Sequence, residues 1–361
     1  MMPKTNAIVY CEGAFNTPNG KTAHGLVRFT RRYTVLAVVD SRYRGKDAGE
    51  ILDGTPLGIP VAGSVDEAVR MTREQGTPPT HFVVGLAPDG GRLGQLARRD
   101  VRTAISLGLH VDCGLHDFLS EDAELKTLAD RQGVTIRDVR KPPPTSELHF
   151  FTGAIDRVRA LKIAVLGTDS AVGKRTTAWK IVDGFNERGY RTEMIGTGQT
   201  AWLQGATYGI LLDALVNDFL TGEIEHAVVK AWDEERPDVI VIEGQGGLLN
   251  PAYPGGYEII AAARPDVIVL QHPPARRAYD GFPQYPIHPL AKQIEALEVV
   301  SGKPVVAITV NHENIPRDQI GLVCAAITQL TGLPATDVLI DGPSILVDAL
   351  EKHVVSRNTR E

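Results

Sequence analysis

Residues 162–177 read Lys162-Ile-Ala-Val-Leu-Gly167-Thr168-Asp169-Ser170-Ala171-Val172-Gly173-Lys174-Arg175-Thr176-Thr177. An apolar strand runs into a loop bounded by glycines, and a lysine opens a helical pattern. This order confines the region to a strand–loop–helix unit, the layout of a phosphate-binding P-loop. The start of the helix offers N–H groups without helical partners and the positive end of the macrodipole. Glycine lets the main chain wrap an anion, and Lys174 adds a full charge. A phosphorylated ligand is expected over residues 167–177.

The departures from the common pattern are informative. Five residues separate Gly167 from Gly173 instead of the usual four. The position after the lysine, where Ser or Thr would bind magnesium, holds Arg175. Thr176 follows one residue later, about 100° further round a helix of roughly 3.6 residues per turn. The anion cradle survives and the usual metal ligand does not. Binding of a diphosphate is therefore better supported than magnesium-dependent nucleotide hydrolysis.

The chain has 361 residues, enough for two domains, and 43% of them are hydrophobic against 23% charged. A net charge of −6 with scattered arginines argues against a nucleic-acid binder. The three cysteines, Cys11, Cys113 and Cys324, lie far apart and form neither a metal spacing nor a disulfide framework. A reducing cytoplasm is the expected setting. No apolar run approaches the roughly 20 residues that span a bilayer, so no membrane association is expected, and a homo-oligomer is the expected assembly.

Short apolar runs alternate with longer amphipathic ones, which predicts βαβ units and parallel sheets. In the first half strands are expected at 7–10, 35–39, 82–85, 110–112 and 134–138, with helices such as 64–73 and 93–107. The prolines at 142–144 read as an interdomain linker. The second half predicts strands at 162–166, 191–194, 239–242, 267–270, 305–310 and 338–340. Its helices are expected at 174–188, 206–220, 226–234, 290–300, 317–331 and 345–353. The division is a Rossmann-like domain over 1–145 and a P-loop NTPase-like domain over 146–361, with ligands at the carboxyl ends of the strands.

Two strand ends add candidate chemistry. The run Glu243-Gly-Gln245-Gly246-Gly247 delivers an acid beside the phosphate loop, as a general base or cation ligand, and the Gly246 and Gly247 amides could stabilise an oxyanion. After the next strand come His272, Arg276, Arg277 and His288, with the histidines as candidate bases and the arginines as holders of carboxylate or phosphate. The run Gly196-Thr-Gly-Gln-Thr-Ala-Trp202 reads equally as a ligand contact or as a turn with a core tryptophan. Elsewhere, Cys11–Thr22 resembles a phosphate loop but is too long and broken by a proline. Asp40 stands where dinucleotide folds place a ribose-binding acid, without the preceding glycine fingerprint.

Taken in order, 48–54, Gly58-Ile-Pro60, Ala87-Pro-Asp-Gly-Gly, Gly114-Leu-His116-Asp117, the loop at 167–177 and Glu243-Gly-Gln-Gly-Gly247 resemble the D-glutamate N-acetyltransferase family over nearly the whole chain. The resemblance implies a Rossmann-like domain joined to a P-loop domain. It also implies acetyl transfer from acetyl-CoA to the amine of D-glutamate. The second half alone is also similar to dethiobiotin synthetase, an ATP- and magnesium-dependent ligase that shares the five-residue glycine spacing but has Thr where Arg175 stands. On the transferase reading the P-loop grips the coenzyme A diphosphate through Lys174, Thr176, Thr177 and the amides of 170–174. Arg175 reaches another phosphate, Glu243 or else His272 takes the proton, and Gln245, Arg276 and Arg277 face the substrate.

Overall fold

The computed structural model describes residues 5–358. The chain divides into two compact units, one running up to Pro142 and including Gln199–Gly205, the other holding Pro143–Gly198 and the residues from Ala206 onward. The exposed, proline-rich stretch read as a linker falls at this division.

The first unit is built on β1 (Thr5–Tyr10), β2 (Tyr33–Val39), β3 (Val61–Ala62), β4 (His81–Val84), β5 (His110–Cys113) and β6 (Ile136–Asp138), in the order β3-β2-β1-β4-β5-β6. All of these pairings are parallel. Ile8, Val39, Phe82 and Val111 on the sheet pack with Ala68, Val101 and Ile105 from the helices. A parallel sheet covered on its faces needs near-continuous apolar strands, which is how these residues read. Asp40, at the end of β2, accepts from the Phe15 N–H and from Arg42, so both of its oxygens are used inside the fold.

The second unit contains β7 (Leu161–Gly167), β8 (Thr192–Gly196), β9 (Tyr208–Gly209), β10 (Val239–Glu243), β11 (Val267–His272), a hairpin of β12 (Ala278–Tyr279) and β13 (Phe282–Pro286), β14 (Val305–Val310) and β15 (Ala335–Thr336). The large sheet runs β15-β14-β11-β7-β10-β8-β9 with parallel pairing throughout. The central strand β7 is buried along its whole length. Its carboxyl end therefore opens between those of β10 and β11, the place where a doubly wound sheet exposes loop backbone to a ligand.

Several expected elements shift. The stretch 206–220 is not one helix; it forms β9, a short 3-10 turn at Leu212–Ala214, and the start of the helix Asn217–Glu235, which also absorbs the expected 226–234 helix. The last strand is Ala335–Thr336 and not 338–340, because the hydrogen-bonded register to β14 is taken by the residues directly after Pro334. Helix Gln199–Gln204 belongs to the first unit, where Trp202 is half-buried with the Arg32 guanidinium 3.8 Å from its ring. No helix among the described residues is long and apolar enough to cross a membrane.

Candidate functional site

The loop after β7 turns on two left-handed residues, Ala171 at φ 52° and Gly173 at φ 104°. This conformation aims successive N–H groups into one concavity. The amides of Ala171, Val172 and Gly173 meet no acceptor among the described residues. The first-turn amides of helix Lys174–Glu187 add to them. Lys174 folds back over Gly167, where a Cβ would fall 2.9 Å from its Nζ. Its ammonium donates to the carbonyls of Asp169 at 2.7 Å and Gly246 at 2.6 Å. Burial pushes its pKa down to about 8, against the opposing pull of Asp169 and Glu243. An ammonium has three N–H donors, so one is left for an anion.

Asp169 is the hub that shapes this loop. Its Oδ1 accepts from the Ser170 N–H at 2.7 Å and Asn250 Nδ2 at 2.6 Å; its Oδ2 accepts from Arg276 Nη1 at 2.7 Å and the Asp280 N–H at 2.9 Å. The carboxylate is fully buried and saturated, so it holds protein, not ligand. Arg276 differs from expectation for the same reason. It donates to both oxygens of Glu313, to Asp169 and to the Ser170 carbonyl, which leaves no fork for a substrate carboxylate. Burial works against its charge, but these bonds outweigh that cost and hold its pKa above the usual range. Arg277 is exposed and forms no ion pair among the described residues. Ser170 Oγ reaches Asp280 at 3.2 Å.

Glu243 ends β10 with its side chain buried. Its Oε2 accepts the Thr197 N–H at 2.9 Å, and its carbonyl accepts the Thr197 hydroxyl at 3.0 Å. Burial raises its pKa, against the lowering pull of Arg175, the Thr197 N–H, Lys174 and the Gly198 N–H. Gln245 donates to the Thr197 hydroxyl at 2.8 Å. The expected oxyanion hole at Gly246–Gly247 is altered, because the Gly247 N–H donates to the Tyr253 carbonyl at 3.1 Å. The glycines serve close approach instead. A Cβ on Gly247 would stand 2.9–3.0 Å from the backbone of Gly167–Asp169.

Three further residues depart from their expected roles. The Thr177 hydroxyl donates to Gln271 Oε1, which also receives Thr309 Oγ1, so it points under the loop and not into it. The Thr168 hydroxyl and His272 Nδ1 are 3.0 Å apart. Burial drops His272 to about 4, so it is neutral at pH 7 and backs the loop. Thr176 is half-buried on the first turn. Arg175 is the group left unspent. Its Nε is shielded from solvent with no hydrogen-bond partner among the described residues, and it is close enough to Glu243 for each to feel the other's charge.

Sequence reasoning took in Thr197 only as part of the run 196–202, and it missed Asn250 and Asn311, whose side chain donates to the Val172 carbonyl at 2.9 Å. Thr197 and Asn311 directly follow β8 and β14, and Asn250 lies further along the loop after β10, where Asn250-Pro251 is a turn signal in itself. The strand-end rule applied to every strand would have found Asn311.

Comparison with known proteins agrees with this architecture. Residues 41–142 match the family described as a domain of unknown function, DUF1611_N, Rossmann-like domain, and residues 149–347 match DUF1611_C, P-loop domain. A D-glutamate N-acetyltransferase of Tritonibacter scottomollicae is 30% identical over 74% of this chain and 80% of its own. One from a Pseudoalteromonas species is 29% identical over the same shares. The crystal structure of a DUF1611 family protein from Anabaena variabilis ATCC 29413 superposes with a TM-score of 0.89 at 29% identity, covering 97% of this chain and all of the other.

Proposed function

We propose that this chain, which belongs to the DUF1611 family of D-glutamate N-acetyltransferases, moves an acetyl group from acetyl-CoA to the amine of D-glutamate. The activity is inferred from the relatives' names. The observation that carries the donor's identity is the loop at residues 170–175. It has unpaired amides, a lysine with one donor to spare and an arginine with an unspent Nε, and no hydroxyl follows the lysine to bind magnesium. Such a site grips a diphosphate without being built to cleave it. Coenzyme A carries a diphosphate and a further phosphate, which suit the cradle and Arg175 respectively.

The reaction needs no nucleotide hydrolysis, because the thioester is already activated. The ammonium of the amino acid gives up a proton, its nitrogen attacks the thioester carbon, the C–S bond breaks, and the thiolate leaves and is protonated. The anchor and the expected base do not fit one place. The pantetheine arm holds about twelve bonds, the length of about four peptide units, or roughly 13 Å extended. Glu243 lies within charge reach of Lys174 and Arg175, at the diphosphate end. Its role is accordingly revised to countercharge for those two cations, with His272 as support for Thr168. Proton removal then belongs to a group at the far end of the arm.

Incubation with acetyl-CoA and D-glutamate, followed by thiol release and mass spectrometry, tests the reading. Free coenzyme A and N-acetyl-glutamate without ATP are expected. Product formed only with ATP, with release of ADP, would replace the reading with a ligase of the dethiobiotin synthetase kind. Lys174→Ala is expected to weaken coenzyme A binding at least tenfold, and unchanged affinity would remove the anchor.

A further inference from the structure

Four aromatic side chains lie on or next to the two segments bonded to the phosphate loop, and the roles assigned so far use none of them. Tyr253, in the loop after β10, is 56% exposed, Tyr285 on β13 is 48% exposed, and Phe282 at the start of β13 is half-buried. Their rings form a chain, with centroids 6.4 Å apart for Tyr253–Phe282 and for Phe282–Tyr285. Tyr257, 46% exposed, lies nearby in sequence with its hydroxyl on the Leu248 carbonyl. Exposed rings from two separate loops, held edge to face, give up burial that a folded core would supply.

Both loops are fastened to the phosphate loop, and through the same residue. Asn250 donates its side-chain N–H to one oxygen of Asp169, and its side-chain Oδ1 accepts the Tyr253 N–H at 2.9 Å. The other oxygen of Asp169 receives the N–H of Asp280, in the turn two residues before Phe282. The Tyr253 carbonyl accepts from Gly247, where an added Cβ would fall 3.0 Å from the Asp169 nitrogen. The cluster is thus fixed to the phosphate cradle on the side of Gly246.

That side is where Lys174 points. A P-loop lysine serves the terminal phosphates of a chain, so whatever is esterified to the terminal phosphate leaves the cradle there. In coenzyme A that group is the pantetheine arm, which is uncharged and begins with a branched hydrocarbon next to amides. We propose that Tyr253, Phe282 and Tyr285 form the seat of the pantetheine arm, guiding it away from the phosphate loop toward the acetyl acceptor. This rests on the reading that the loop holds the coenzyme A diphosphate. It gives the hairpin β12–β13 a purpose that the parallel sheet does not require.

Calorimetric titration of the full chain with inorganic pyrophosphate, ADP, 3′-dephospho-coenzyme A and coenzyme A tests it. ADP and the dephospho compound share base and diphosphate and differ by the arm. The wild type is expected to bind dephospho-coenzyme A at least tenfold tighter than ADP, and equal affinity overturns the proposal without any variant. Phe282→Ala and Tyr253→Ala are expected to weaken both coenzyme compounds about tenfold, the effect of losing roughly 50 Å² of apolar contact. ADP and pyrophosphate should stay within about twofold, and Tyr253→Phe should restore the wild-type value. If ADP loses as much as coenzyme A, the rings hold the base and the proposal falls. If pyrophosphate and ADP do not bind at all, or Lys174→Ala leaves coenzyme A binding intact, the anchor reading fails and takes this one with it. If they bind normally and the ring variants leave coenzyme A binding unchanged, only the arm seat is lost.

Discussion

Asp169→Asn tests the claim that the phosphate cradle is held by a saturated buried carboxylate. The wild-type group receives four hydrogen bonds, two on each oxygen. An amide in its place keeps one oxygen and turns the other corner into a donor. Two bonds survive and two donors then face a donor, and turning the amide over only exchanges which pair is lost. Hydrogen bonds to charged groups contribute about 1.5–3 kcal/mol net each. Arg276 keeps Glu313 and the Ser170 carbonyl, so the lower end applies and the loss is about 3 kcal/mol. For a unit of this size each kcal/mol moves the melting point by about 2–4 °C, giving a fall of roughly 6–12 °C in calorimetry or circular dichroism. The origin of the loss is checked in an Arg276→Met background. There Asp169 is a buried charge without its cation, and the same Asn substitution should cost less or even stabilise. A fall under about 2 °C, or an equal fall in both backgrounds, would refute the hub. Ligand affinity is the wrong readout here, since removing a negative charge beside the cradle favours anions by itself.

Three further outcomes follow from the same geometry. Lys174 has its pKa lowered by burial to about 8, so it is charged below that pH and loses its proton above it. Pyrophosphate binding should weaken as pH rises through about 8, and Lys174→Arg, always charged, should flatten the profile in titrations across that range. His272 is held neutral by burial, at about 4 against 6.5 when unfolded. The unfolded chain therefore binds more protons between those values, and stability falls as pH drops through them, by up to about 3 kcal/mol from this group. His272→Asn should remove that part of the slope in urea titrations run from neutral to acid pH. Gly247→Ala would put a Cβ 2.9–3.0 Å from loop backbone, and backbone yields little. It should abolish pyrophosphate binding while far-ultraviolet circular dichroism stays unchanged, and retained binding would show that the contact is not required.

The elements read correctly from the sequence are the ones whose pattern is physically self-contained. β7, β10, β11 and β14 are buried runs of five to seven residues, and no competing period hides an uninterrupted apolar strand. β9, β12 and β15 are two residues long and owe their existence to a neighbouring edge, which a window of sequence does not contain. The 206–220 helix failed for a related reason. Ala, Leu and Ile there follow a helical period, yet Tyr208–Gly209 is pulled into the sheet beside β8. Helix Gln199–Gln204 leaves the unit whose sequence surrounds it, and nothing in six residues announces such an exchange.

For the candidate site, the sequence reading assigned more side chains to a ligand than the structure leaves unbonded. A motif says that a charged residue is near the ligand; it does not say whether the charge is free. Asp169, Arg276, Thr177 and the Gly247 amide all stand at or beside the loop and all are bonded within the protein, because a backbone bent into an anion nest exposes carbonyls and N–H groups that need buried partners of their own. On the proposed reading, the groups left for the ligand are those without a partner among the described residues: the amides of 171–173, the spare donor of Lys174, and Arg175, the residue that replaces the magnesium-binding hydroxyl. That replacement argues for an intact diphosphate, since a fixed guanidinium neutralises bound phosphate in the ground state without supplying the hydroxyl that the usual motif uses to hold magnesium against the terminal phosphates.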